Sequence, residues 1–167
     1  MGEMRVVGIR VEPPANQPVL LLREVGGCRY LPIWIGQSEA ASIALQQRGV
    51  EPPRPLTHDL IVNLAEAFGR TLRQVRIVDM QEGTFYAEMV FDGDIVVEAR
   101  PSDAIAVAMR CDAQIIAVDE VLDDAGMVMP DEEGAGDEAG SDDEVEAFRE
   151  FLDQVSPEDF LGPESDS

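Results

Sequence analysis

The chain has no lysine, one histidine and one tryptophan in 167 residues. All 12 basic residues are therefore arginines, whose planar guanidinium groups suit two-point contact with phosphate or carboxylate. Genomic composition bias would leave the same mark. The two cysteines, Cys28 and Cys111, lack CxxC spacing, which excludes a zinc ribbon or redox dithiol and leaves them as small buried hydrophobes of a reducing compartment. No apolar run approaches the ~20 residues of a membrane span, and the opening MGEMRVVGIRVEPP has no basic start or small-residue cleavage site. A cytoplasmic protein is expected, with no membrane partner. No P-loop, GxGxxG, HExxH, GxSxG or zinc-finger spacing occurs, so several common enzyme classes lose their support. Aromatics make up only 5% of the chain, yet the apolar fraction of 45%, rich in Val, Ile, Leu and Ala, is enough for one buried core.

What the chain has in excess is acid, unevenly placed. Residues 1–113 hold 15 acidic and 11 basic side chains, whereas residues 114–167 hold 19 acidic and one basic, for a net charge of −22. Nucleic acid is repelled by such a chain at long range, so a polyanion substrate would need a local arginine site.

Alternation and β-branching predict strands at residues 4–12, 19–25 and 28–36, the last two joined through Gly26-Gly27. Pro32 marks the third as an edge or a bulge. SEAASIALQQ (38–47) reads as a helix with Ser38 as N-cap, stopped near Gly49. After the extended EPPRP connector, THDLIVNLAEAFG reads as a second helix. Its apolar face is Leu60, Ile61, Leu64, Ala65 and Phe68, and Gly69 is its stop. Strands at 71–80, 84–91 and 94–100, separated by turn chemistry at 81–83 and 92–93, make a meander. A third helix starts at Pro101 with Ser102 as N-cap, and QIIAVDE is the last strand. The expected organisation is a domain over 1–129, an acidic disordered linker over 130–144, an amphipathic helix over 145–160 and a disordered tail over 161–167. Val145, Phe148, Phe151, Leu152 and Val155 share one face of that last helix, which needs a surface to dock on.

Two segments draw attention because they share a form: Arg54-Pro55-Leu56-Thr57-His58-Asp59 and Arg100-Pro101-Ser102-Asp103. His58 beside Asp59 can be a general base or a metal ligand, while Thr57 with Asp59 can instead be the cap and first-turn acid of a helix. Arg100 and Asp103 can bind a phosphate or a cation where a strand meets a helix start, or can merely fix the turn. If the two segments converge, two arginines, two aspartates and a histidine surround one pocket fit for a phosphodiester. In such a pocket Asp59 and Asp103, with Glu39 as a third carboxylate, supply oxygens for Mg²⁺ or Mn²⁺. His58 then transfers the proton, and Arg54 and Arg100 offset developing charge. Tyr30 and Trp34 can stack a base or fill a core.

LPIWIG with Glu39, RPLTHDL, TFYAEMV and ARPSDAI, in this order, resemble the bifunctional nuclease domain family, whose members are described as cleaving both DNA and RNA. The resemblance covers about residues 4–125. It implies an α+β fold, with a mixed, largely antiparallel β-sheet flanked by helices, and a homodimer or higher homo-oligomer. The family's candidate site residues map onto Glu39, Arg54, Thr57, His58, Asp59, Arg100, Ser102 and Asp103. Their chemistry suits His58, Asp59 and Asp103 to catalysis, Arg54, Thr57, Arg100 and Ser102 to phosphate binding, and Glu39, Asp59 and Asp103 to a metal. The alternative is a non-catalytic oligomeric module that docks a protein partner, in which the two RP segments are only turn and capping chemistry.

Overall fold

The computed structural model describes residues 1–129. The linker, helix and tail expected over 130–144, 145–160 and 161–167 lie outside the described residues. Eight strands and four helices follow one another as β1 (Gly2–Glu12), β2 (Gln17–Glu24), β3 (Arg29–Trp34), α1 (Gln37–Gln47), α2 (Thr57–Ala67), β4 (Leu72–Gln81), β5 (Thr84–Phe91), β6 (Ile95–Ala99), α3 (Pro101–Cys111), β7 (Gln114–Ala117), α4 (Asp119–Ala125) and β8 (Met127–Val128). All strands join one sheet in the order β6-β5-β4-β7-β1-β2-β3-β8. The expected α+β architecture holds, with one parallel pair, β4 with β7, among antiparallel neighbours.

The sheet is two meanders, β4-β5-β6 and β1-β2-β3, joined through β7, which pairs with β4 on one side and β1 on the other. Between β4 and β5 the loop is Glu82-Gly83 with both φ values positive, at 51° and 78°, the backbone that matches strand twist in a two-residue hairpin. From β6 the chain must recross the meander to reach β7 in the direction of β4, and a parallel return needs a crossover element. That element is α3. Its Ala104-Ile105-Ala106-Val107-Ala108 run is buried all round, as expected for a helix inside the core rather than on it. The small alanines let α1 and α2 pack against α3 while it also touches β4, β5 and β7. Ile105, fully buried, contributes on the order of 2–3 kcal/mol by leaving water.

Five details differ from expectation. Ser38 does not cap α1, because Gly36, extended at φ −73° and ψ 159°, takes the N-cap position without a side-chain bond. A Cβ on Gly36 would collide with the Glu39 carboxylate, so the glycine is what lets Glu39 fold over the helix start. In α2 the N-cap is Leu56 and Thr57 is already helical; in α3 the N-cap is Arg100, Pro101 takes the first helical position and Ser102 is buried. Proline suits that place because its missing N–H would have had no helical partner. The stretch after β7 adds α4 and the two-residue β8, which covers β3 only at Arg29 and Tyr30 and leaves Pro32 on an unpaired edge. Cys28 is exposed at the β2–β3 turn, not buried. No helix among the described residues is long and apolar enough to cross a membrane.

Candidate active site

A cleft of about 610 Å³ opens where α1, α2, β6 and the start of α3 meet. Glu39, Thr57, His58, Arg100 and Asp103 line it, with Met89 and Phe91 of β5 and Val97 of β6 as its apolar wall. The two RP segments meet here only in part, through His58 of α2 and Asp103 of α3, 45 residues apart, while Arg54 and Asp59 stay out of the cleft wall.

The polar groups form one continuous chain of hydrogen bonds. At the mouth, the Arg100 Nη2 group donates to Glu39 Oε1 at 2.8 Å and its Nε donates to Asp103 Oδ2 at 2.7 Å. One guanidinium thus bridges two carboxylates. Behind it, Asp103 Oδ1 lies 2.9 Å from His58 Nε2, and His58 Nδ1 lies 2.7 Å from Ser42 Oγ. Arg110 closes the back. Its Nη2 donates to Ser42 Oγ at 2.9 Å and to the Ser42 carbonyl at 3.1 Å, its Nη1 donates to the Ala106 carbonyl, 2.6 Å away, and its Nε donates to Asp59 Oδ1 at 2.7 Å.

Proton positions follow from donor counting. Arginine has no acceptor, so Ser42 Oγ accepts from Arg110, and its hydroxyl hydrogen is free to go to His58 Nδ1. Asp103, an ionised carboxylate, only accepts, so His58 Nε2 carries the hydrogen between them. Both ring nitrogens are engaged and the residue is only 7% exposed. Ser42, His58 and Asp103 follow the nucleophile–base–orienter order with the ring nitrogens exchanged, but Ser42 is also only 7% exposed and serves to orient the imidazole.

Both aspartates titrate low. Burial alone would raise the Asp103 carboxyl; hydrogen bonds from His58 and Arg100, with the Arg100 charge, outweigh it and hold the group below the usual carboxylate range. Burial likewise opposes ionisation of Asp59, and the Leu56 amide and the Arg110 guanidinium overcome it. A carboxylate held low stays an anion and is a weak base, which suits it to orienting water or holding a cation rather than donating a proton.

The other expected site residues are placed as follows. Asp59 does not line the cleft: one oxygen takes Arg110 and the other accepts from the Leu56 amide at 2.9 Å. Ser102 is 6% exposed and Arg54 stands out in solvent, and neither reaches the cleft wall. Ser42 and Arg110 were not expected at all. A signal for Arg110 existed, since it stands seven residues after Asp103, two turns along the same helix face.

Among the described residues no three of His, Cys, Asp and Glu stand together in a metal-holding group. Glu39 and Asp103 do share a single cation, the Arg100 guanidinium. Two carboxylates around one positive charge are a donor set that fits Mg²⁺, which commonly takes one or two carboxylates and completes its shell with water and substrate phosphate. Asp59 is not part of that set.

The bifunctional nuclease domain matches residues 20–130. An uncharacterized protein of Mycobacterium tuberculosis (strain ATCC 25618 / H37Rv) is 64% identical over 161 residues, 96% of this chain and 98% of that one. Bifunctional nuclease 1 of Oryza sativa subsp. indica is 27% identical over 117 residues, 66% of this chain, and Bifunctional nuclease 2 of Oryza sativa subsp. japonica is 30% identical over 115 residues, 65% of this chain. In each case the match spans 35% of the plant protein. The chain belongs to the bifunctional nuclease domain family.

Proposed function

We propose that the cleft hydrolyses phosphodiester bonds of DNA and RNA in the cytoplasm. The observation that carries this reading is the Arg100 guanidinium, two-thirds exposed and held over the cleft by Glu39 and Asp103. It is a positive group at the place where phosphorane oxygens would gain charge. Thr57, exposed on the cleft wall, donates a hydroxyl hydrogen bond to a second phosphate oxygen. Asp103 accepts a hydrogen bond from the attacking water, its orientation set from behind by His58 Nε2–H. His58 thus acts as a positioning residue behind Asp103. Once Arg100 swings onto the phosphate, Glu39 and Asp103 would hold Mg²⁺ or Mn²⁺, which when bound supplies Lewis-acid polarisation of the phosphate oxygen. Asp59 and Arg110 brace the site, and Ser102 and Arg54 stand outside it.

The test is cleavage of labelled single- and double-stranded DNA and RNA, with Mg²⁺, Mn²⁺ or chelator, by wild type, Arg100→Ala, Asp103→Ala and Arg54→Ala. Chelator-sensitive cleavage, reduced at least ~100-fold in the first two variants and unchanged in Arg54→Ala, is expected. Cleavage that survives both cleft substitutions would remove the reaction from this site.

A second reading rests on a different observation. Leu56, Leu60, Leu64 and Phe68 form an exposed stripe at four-residue spacing along α2, with Phe68 79% exposed, and Ile95, Val96 and Val97 of the edge strand β6 are exposed as well. Exposed apolar surface of that kind suits self-association. A homo-oligomer built on it serves the nuclease or, if no cleavage is found, a non-catalytic module. Leu64→Glu with Phe68→Glu should then lower the mass seen by light scattering.

A further inference from the structure

Opposite the core cluster the sheet has a second face, buried along its middle at Val19 and Leu21 and exposed at its flanks. In β1, β2 and β3 the register sets three rows side by side: Arg5 opposite Arg23 opposite Tyr30, Gly8 opposite Leu21 opposite Pro32, and Arg10 opposite Val19 opposite Trp34. Strand alternation puts all three rows on one side. The intervening residues Met4, Leu20, Leu22, Leu31 and Ile33 belong to the helix-covered core, whereas Val19 and Leu21 are buried without belonging to it. A bulge between Val6 and Gly8 shifts β1 by one residue, which is why Arg5 and Arg10, odd and even, end on the same side.

The chemistry of this face runs against the rest of the chain. Arg5, Arg10 and Arg23 are exposed and, among the described residues, none is in an ion pair; what sets them apart is that they share one sheet face with two aromatic rings. Arg5 and Arg23 are direct cross-strand neighbours, an arrangement of like charges that costs stability. They border a groove of about 530 Å³ closed by the Gly26-Gly27 turn. The one carboxylate in its wall, Glu24, is gripped by Arg29 with two bonds of 3.0 Å. Arg23 lies 5.7 Å over the Tyr30 ring, and Trp34, four residues along the same strand face, is 52% exposed. Glu3, two residues before Arg5 on this side, stands at the end of the patch.

We propose that this face binds single-stranded nucleic acid, with phosphates at the Arg5–Arg23 groove and at Arg10 and a base stacked on Trp34. Facing arginines are relieved by a shared anion, and a large exposed indole is stabilised by a π-face laid on it. Duplex bases, already stacked on each other, offer no such face, which selects a single strand. The ligand class rests on the nuclease reading; the residues of the platform are separate from the cleft.

Trp34 is the only tryptophan, so its fluorescence reports this face alone. The experiment titrates the full chain, in chelator, with a single-stranded oligothymidylate while recording Trp34 emission and the anisotropy of a label on the oligonucleotide. Quenching of Trp34 in step with binding is expected. Trp34→Ala should weaken binding about tenfold. Arg5→Gln with Arg23→Gln should weaken it at least as much and flatten the dependence of log affinity on log salt by about 0.7 for each phosphate that is no longer neutralised. Emission unchanged at saturation, or affinity indifferent to the arginine pair, would overturn the proposal. So would full displacement by polyphosphate together with absent quenching, which would mark a plain polyanion contact. Quenching without any cleavage leaves the platform standing and sinks the nuclease reading; cleavage without quenching does the reverse.

Discussion

At the start of α2 the Asp59 carboxylate turns back on its own helix, taking the Leu56 amide at 2.9 Å, and gives its other oxygen to Arg110. At the start of α3 Asp103 occupies the same third helical position, yet it accepts nothing from its N-cap amide; its oxygens go to His58 and to the side chain of the N-cap, Arg100. The segments around them share the letters RP, a hydroxyl and Asp, but they do not superpose. Pro101 is the first helical residue after an Arg100 N-cap, whereas Pro55 lies before the Leu56 N-cap, which places Arg54 two residues outside the helix. A two-residue offset is enough to bring one arginine to the cleft and leave the other in water. One aspartate thus stabilises a helix start and anchors a buried arginine, while its counterpart faces the cleft.

The hardest test of this contrast is Arg110→Ala. It strips Asp59, Ser42 and the Ala106 carbonyl of a donor that is 6% exposed, and breaking a buried ion pair from one side costs about 3–5 kcal/mol. Denaturant unfolding would measure it, and Arg110→Lys should recover only part. With Ser42 freed, ¹⁵N NMR of the lone His58 should show loss of the single Nε2–H tautomer; a tautomer identical to wild type would show that Arg110 does not act through Ser42.

Next in size are Asp59→Asn and Asp103→Asn. The first should cost about 2 kcal/mol of stability through its buried guanidinium, the second about 1, and the order should reverse for cleavage. Equal effects of both on cleavage would break the contrast. Acid sharpens it. Both groups have folded pKa values below their unfolded ones, so each contributes stability that is fully present above the ordinary carboxylate value of about 4 and is lost as pH falls through the folded value. Stability of wild type should therefore drop below about pH 4, with a shallower drop in each Asn variant. A pH dependence identical in all three would assign the loss to other carboxylates.

The smallest effects separate the two arginines. Arg100→Ala should cost less than about 1 kcal/mol, because its ion pairs are open to solvent, and Arg54→Ala should stay within about 0.5 kcal/mol. Only the former should alter cleavage.

Much of the fold was legible in the sequence. The six strands from β1 to β6 and the first three helices follow alternation, helical spacing and turn residues, and Gly49 and Gly69 stop helices at positive φ, 67° and 70°. The seven residues of α4 and two of β8 are too short to show a period, and tertiary pairing alone supports them. The apolar spacing of α2 revealed a stripe but not what it meets. Ile61 and Val62 pack on the core, the polar His58 is the buried member, and Leu60, Leu64 and Phe68 face outward.

The sequence by itself determined the elements, the turns and the list of residues able to do phosphate chemistry, because dihedral preference, side-chain period and functional-group chemistry are properties of short stretches. Only the tertiary structure decided which of them work together. Burial of the alanine-rich α3 against α1 and α2 sets His58 against Asp103 and brings Ser42 and Arg110 in behind. Hydrogen bonds of 2.7–2.9 Å between groups 16 to 68 residues apart depend on that packing and on nothing local.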